Sequence, residues 1–246
     1  MCGRNWSRVA LGITLLACVV PVRAAGVALV DDRGITVRLT SPASRIVTLS
    51  PHLAEIVFAA GAGAKLAGVA RFSDYPEAAR RLPLIGDAAR IDAERVVQIG
   101  PDLILAWKSG NPAAGISRLE QLGFAVYVSE PARLADIPRV LRAVGALAGT
   151  AIVADEAANN LFNIINSLRK SYADRPPVRV FYEIWHRPLL TVNGAHIISD
   201  VIRLCGGRNV FADAPSLTPE VSLEAVLAAD PEVILGGGSA GGERQF

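Results

Sequence analysis

From residue 35 onward, short apolar runs alternate with amphipathic stretches. Residues 35–39, 45–49, 66–70, 102–107 and 125–129 are short, mostly β-branched, and bounded by Gly, Pro or polar residues, which predicts strands. Residues 51–60, 93–99, 116–122 and 134–147 fall between them and read as helices. Alternation of this kind implies parallel strands joined by crossover helices, an α/β fold. The period then changes. Over residues 150–172, Val153, Ala157, Leu161, Ile164, Leu168 and Tyr172 recur at three- and four-residue steps, which predicts one long helix. Thr150 is placed to cap it, and Asp174-Arg175-Pro176-Pro177 stops it. Alternation resumes over 179–184, 197–204, 223–228 and 232–235. The expected architecture is two α/β lobes with mostly parallel sheets joined by a single long helix, which holds a fixed distance where a flexible linker would not.

The two halves echo each other. Residues 94–105, from Glu94 through Pro101-Asp102 to Leu105, align without gaps to residues 224–235, from Glu224 through Pro231-Glu232 to Leu235. Each unit reads as a short helix, a Pro turn and a strand, and the shared register points to a duplicated lobe. Two facing lobes make a cleft, where ligands generally bind.

Charge narrows the function by exclusion. The net charge of +2 and the lack of a Lys/Arg run give no support for nucleic-acid binding. The N-terminus adds a location. Arg4 and Arg8 precede an apolar run over 9–22, and Ala24-Ala25 follow, the order of a secretory signal peptide. The expected organisation is a signal peptide over 1–25, a first lobe over 26–147, a bridging segment over 148–174 and a second lobe over 175–246. Leu15-Leu16-Ala17-Cys18 also resembles a lipobox, so a lipid anchor through Cys18 is the alternative to soluble export. Cys205 is then the one cysteine of the exported part, and on its own reads as a small buried apolar residue.

Four segments occur in a familiar order: residues 45–51 (Arg-Ile-Val-Thr-Leu-Ser-Pro), 73–76 (Ser-Asp-Tyr-Pro), 101–107 (Pro-Asp-Leu-Ile-Leu-Ala-Trp) and 205–211 (Cys-Gly-Gly-Arg-Asn-Val-Phe). Together they resemble the periplasmic solute-binding family of ABC importers that captures cobalamin, haem and ferric siderophores. Ser-Asp-Tyr-Pro with the Ala-Trp strand end points to its corrinoid branch. The resemblance implies a monomeric binding protein, not an enzyme, that carries cobalamin or a related corrinoid as cargo and uses no catalytic cofactor. A haem or siderophore binder of the same family, or a ligand-sensing receptor, is the alternative. Its implied partners are an inner-membrane permease and that permease's ATPase, with Glu94 and Glu224 meeting permease arginines. Each Glu also falls in a first helical turn behind a candidate cap, Asp92 or Ser222, where a negative charge is favourable by about 0.3–1 kcal/mol.

The expected ligand contacts are Tyr75, whose aromatic ring on a turn no core requires, and Trp107 and Trp185, each at a strand's C-terminal end. Ser50-Pro51 opens a helix, with simple capping as one role and a backbone N–H turned to the ligand as the other. His52 lies in the same first turn and is placed to approach the ligand. His52, His186 and His196 lack metal-ligand spacing, so no metal site is expected. The corrinoid branch carries a Trp six residues before each docking Glu; Ala88 and Thr218 stand there instead. It also continues past the strand at 232–235 into a closing helix whose Cys pairs with the counterpart of Cys205. The second lobe is therefore expected to be incomplete and the chain poorly stable or weak in binding. Gly237-Gly238-Ser239-Ala240-Gly241 matches a nucleophile elbow, but every His lies upstream of it, so no hydrolase is expected.

Overall fold

The structure, a computed structural model, describes residues 26–236. The expected signal peptide, Cys18 and the Gly237–Gly241 motif lie outside them. An antiparallel hairpin, β1 (Val27–Val30) with β2 (Thr36–Leu39), opens the chain. Buried Asp31 fixes the hairpin by pairing with Arg33, which also reaches Glu120 at 2.9 Å. The strand at Val27–Val30 was not anticipated, because four residues with one face exposed carry little periodic signal.

A parallel sheet follows in the order β4 (Leu66–Val69), β3 (Ile46–Thr48), β5 (Leu103–Trp107), β6 (Val126–Ser129). These strands are buried on both faces, which is why they read as continuous apolar runs. One face packs on α1 (Pro51–Ala59) and α4 (Asp136–Ala148), through Leu53, Val57, Val144 and Leu147. The other packs on α2 (Ala93–Ile99) and α3 (Ala113–Gln121), through Val96, Ile116 and Leu119. The crossover after β3 thus lies on one face and the crossover into β5 on the other. The carboxyl ends of adjacent β3 and β5 therefore form a topological switch point, where open α/β sheets hold their ligands.

Helix α5 (Ala151–Tyr172) leads to the second sheet, ordered β8 (Gly207–Asn209), β7 (Val178–Glu183), β9 (Val233–Gly236). The long helix is as expected, but its buried stripe is Ala154, Ala158 and Ile165, one residue on from the expected Val153, Ala157 and Ile164. Val153 and Ile164 are exposed. The reason is close approach: α4 meets α5 at Gly145, where a Cβ would collide with Ala154, and small residues win over large ones at such a contact. Thr150 heads α5 without a side-chain capping bond; its hydroxyl donates to Ala60 O at 2.6 Å instead.

The second sheet repeats the first three strands of the first: second, first, third in chain order. The repeat reaches individual bonds. Asp102 N and Glu232 N donate to Arg45 O and Arg179 O at 3.0 and 2.9 Å. Arg45 Nε and Arg179 Nε donate to the carbonyls of Ile99 and Asp230, at the ends of α2 and of α7 (Leu223–Ala229). Both helices end on a left-handed residue, Gly100 in one and Asp230 in the other. A side chain there costs roughly 1 kcal/mol that glycine avoids. In the second lobe β9 is exposed along its length, and Leu223, Leu227 and Ile234 are each more than 60% exposed. Cys205, expected in the core, is free and exposed at the end of α6 (Ile197–Leu204). The chain leaves the helix there for a left-handed Gly206, so Cys205 falls past the apolar stripe that Ile202 anchors.

Burial pushes the Asp102 carboxyl up, but the Ser44 hydroxyl and the Ser44 and Arg45 N–H groups outweigh it and hold it below its ordinary 3.8. A depressed folded value contributes stability above pH 3.8 that is lost as pH falls through it. Asp102→Asn should therefore unfold at lower urea than wild type at pH 7, and the difference should shrink below about pH 4. Parallel urea curves at pH 7 and pH 3 check this, and an unchanged difference would exclude Asp102.

Candidate functional site

The carboxyl ends of β3 and β5 are held together by one amide. Asn111, 5% exposed, receives the Trp107 N–H on Oδ1 at 2.7 Å and donates from Nδ2 to Leu49 O and Ala88 O, each at 2.9 Å. The fully buried Ser50 hydroxyl lies 3.5 Å from the same Oδ1. Ser50 thus stands at the start of α1 without capping it by side chain, and Pro51 supplies the first position. The capping role expected for Ser50 is corrected: its hydroxyl is turned toward the neighbouring loop. Gly110 lets the chain pass beneath Trp107, since a Cβ there would collide with the indole ring.

Above this floor lies a cavity of about 520 Å³. The first turns of α1 supply His52 and Glu55, the loop after β4 supplies Tyr75, β5 ends in Trp107, and α4 and α5 add Leu141 and Leu161. Ile197, at the start of α6, is the contribution from beyond α5. His52 and Trp107 meet edge to face with centroids 5.2 Å apart. Burial pulls the His52 imidazole down to about 4, so it is neutral at pH 7. Its Nε2 is buried without a hydrogen-bond partner among the described residues. Among the described residues, no group of three His, Cys, Asp or Glu side chains is gathered to hold a metal ion. His196 instead caps α6, its Nδ1 accepting the Ile198 N–H at 3.1 Å.

The structure thus brings Tyr75, Trp107 and His52 to one cavity; Ser50 and Pro51, which precede His52 at the start of α1, are not part of its lining. Trp185 is off its wall: the ring is exposed and its N–H donates to Arg187 O at 2.9 Å. Glu94 and Glu224 are both exposed, each in the first turn of its helix. The helices are capped alike, Asp92 accepting from Arg95 N and Ser222 from Ala225 N. The Glu224 carboxyl is held below its ordinary value by its own backbone N–H and by the Ser222 hydroxyl.

Sequence reasoning missed Glu55, Asn111 and Phe72. Phe72 precedes Tyr75 on the same loop, 63% exposed and in the left-handed region at φ 68°. Neither packing nor backbone preference favours a Phe there. An aromatic two residues past a strand, beside Ser-Asp-Tyr-Pro, was the available signal. Asn111 carried only the hint of a Gly-Asn pair at a strand end, and Glu55 looked like any solvent-facing residue of a helix.

Residues 46–246 match the periplasmic binding protein family. The vitamin B12-binding protein of Vibrio cholerae serotype O1 is 39% identical over 193 residues, covering 78% of this chain and 70% of that protein. The protein of the same name from Yersinia pestis is 38% identical over 204 residues, 82% and 73% of the two chains. Among solved structures, the periplasmic vitamin B12 binding protein BtuF of Vibrio cholerae superposes with a TM-score of 0.75 at 39% identity, over 79% of this chain and 76% of that one. The periplasmic heme-binding protein RhuT from Roseiflexus sp. RS-1 gives 0.71 at 26% identity, over 78% and 76%. With two like-ordered sheets, a long helix between them and a cavity at the first sheet's switch point, this chain belongs to the periplasmic binding protein family.

Proposed function

We propose that the chain is the solute-binding component of an ABC importer, and that it captures cobalamin or a related corrinoid and delivers it to a membrane permease and its ATPase. The observation that carries this reading is the cavity of about 520 Å³ walled by Tyr75, Trp107 and apolar side chains of α1, α4 and α5. A flat macrocycle presents a large apolar face, and aromatic rings cover such a face at low entropic cost. Likeness to vitamin B12-binding proteins over more than three quarters of the chain supports the ligand class.

In this reading Tyr75 and Trp107 pack on the macrocycle. Ser50 and Pro51 set the floor, and Trp185 approaches from the second lobe when the ligand is seated. Glu94 and Glu224 dock the permease. Residues 1–25 direct export, with lipidation at Cys18 as the alternative. The exported part comprises a first lobe over 26–147, a bridge over 148–174 and a second lobe over 175–246, and works as a monomer. No catalytic step is required of it. Cyanocobalamin titrated calorimetrically into the protein tests the reading, and cobalamin without heat of binding would overturn it. Trp107→Ala should weaken binding at least tenfold, since aromatic anchors contribute about 2 kcal/mol or more. Unchanged affinity would remove Trp107 from the wall.

A further inference from the structure

We propose that the cleft selects a macrocycle rimmed by neutral carboxamides over one bearing carboxylates, and that Glu55 and His52 set this preference. The proposal rests on the reading of the cleft as a macrocycle site and goes beyond it, because it decides between ligand classes that share the fold.

The charge of the cavity is the first observation. No Lys or Arg is among the described residues lining it, and the one acidic side chain among them is Glu55. Glu55 is exposed and sits one turn along α1 from His52. Arg71 and Arg187, on loops at the ends of β4 and β7, are not part of the lining. A ligand carboxylate brought into this space loses water and finds no cation to replace it, and it faces the carboxylate of Glu55. A haem, with its propionates, meets both penalties. A carboxamide meets neither, because it is uncharged and its N–H groups suit the Glu55 oxygens.

The orphaned imidazole is the second observation. His52 Nε2 is buried and has no hydrogen-bond partner among the described residues. The ring lines the cavity against Trp107, and its low basicity keeps it neutral, so it adds no cation at pH 7. A neutral imidazole nitrogen pairs with either end of a carboxamide, whereas an ionised carboxylate offers only acceptors. Buried polar groups are ordinarily paired, so an unpaired one at a cavity wall marks where a ligand's polar group completes the site. Rejection of the wrong ligand comes from Glu55, and attraction of the right one from both residues.

The test uses the full chain and three probes in calorimetric titrations: cyanocobalamin, cobyrinic acid (the corrin ring with carboxylates in place of amides) and hemin. Cyanocobalamin is expected to bind at least a hundredfold tighter than either carboxylate-bearing ring. Glu55→Gln should narrow that gap tenfold or more, chiefly by strengthening cobyrinic acid and hemin. His52→Phe should weaken cyanocobalamin and leave hemin unchanged, and His52→Gln should restore part of the loss. Cobyrinic acid binding as tightly as cyanocobalamin, or a gap unmoved by Glu55→Gln, would overturn the preference. If His52→Phe leaves cyanocobalamin binding intact, Nε2 pairs only with resident water and its role falls. Hemin binding with cyanocobalamin silent keeps the macrocycle reading and overturns this preference. Silence of all three overturns both.

Discussion

Replacing Glu94 and Glu224 together by alanine should abolish uptake while leaving ligand affinity unchanged. The two carboxylates are exposed, head helices of equal length, and lie in lobes built on the same strand order. Neither is needed to cap its helix, since Asp92 and Ser222 already take the first-turn N–H groups. Losing an exposed first-turn charge removes only a small, solvent-screened macrodipole stabilisation, so both variants should fold. Neither glutamate lines the cavity, so binding should stay as it was. Docking is different. In the proposed docking role, one carboxylate on each lobe would fix the orientation of the binding protein on a basic partner and speed encounter, a contribution that weakens with salt. Each single variant should slow uptake, and the double variant should stop it. Uptake of labelled cobalamin into cells, set beside calorimetry on the purified protein, makes the separation. Normal uptake by the double variant would withdraw the docking role.

The second large effect is expected at Asn111. Asn111→Ala should lower unfolding stability by on the order of 3 kcal/mol, because it strips partners from the Trp107 N–H and from the Leu49 and Ala88 carbonyls, and each buried orphan costs about 1–3 kcal/mol. Asn111→Asp keeps the acceptor for Trp107 and replaces two donations with repulsion, so it should be destabilised as well. Urea unfolding reports this loss. Affinity measured far below the unfolding midpoint should also fall, because the amide holds the Trp107 loop against the β3–α1 turn. Lower stability with unaltered affinity would make Asn111 part of the scaffold alone. Wild-type stability in both variants would mean that water takes over the three bonds.

Much of this scaffold is legible in the chain for physical reasons. Strands buried on both faces must be apolar throughout, so β5 and β6 stand out as Leu-Ile-Leu-Ala-Trp and Val-Tyr-Val-Ser. Helix α2 is bounded by a capping Asp and a terminal Gly, signals local enough to place it at Ala93–Ile99 without tertiary information. The face of α5 was harder to read. Periodicity marked large residues, whereas the contact with α4 is made by Ala154 opposite Gly145, with Ala158 buried one turn on, and small residues carry weak hydrophobic signal. Cys205 misled for a related reason: composition speaks to average burial and not to which side of a helix end a residue falls.

The site divides along the same line. Sequence alone determined that the chain is α/β, that a long helix links two related halves, and that aromatic residues stand at strand ends, because elements follow from the periodicity of neighbouring positions and the repeat from comparing two short windows of the same chain. Only the tertiary structure decided which strand ends meet. Placing β3 beside β5 brings Ser50, 61 positions from Asn111, against its amide. It also sets His52 edge-on to Trp107 and leaves Trp185 away from the cavity they line. Such pairings depend on the order of strands in the sheet, which residue-by-residue patterns do not encode. They arise when burying both faces of a sheet forces crossovers to opposite sides and opens a crevice between them.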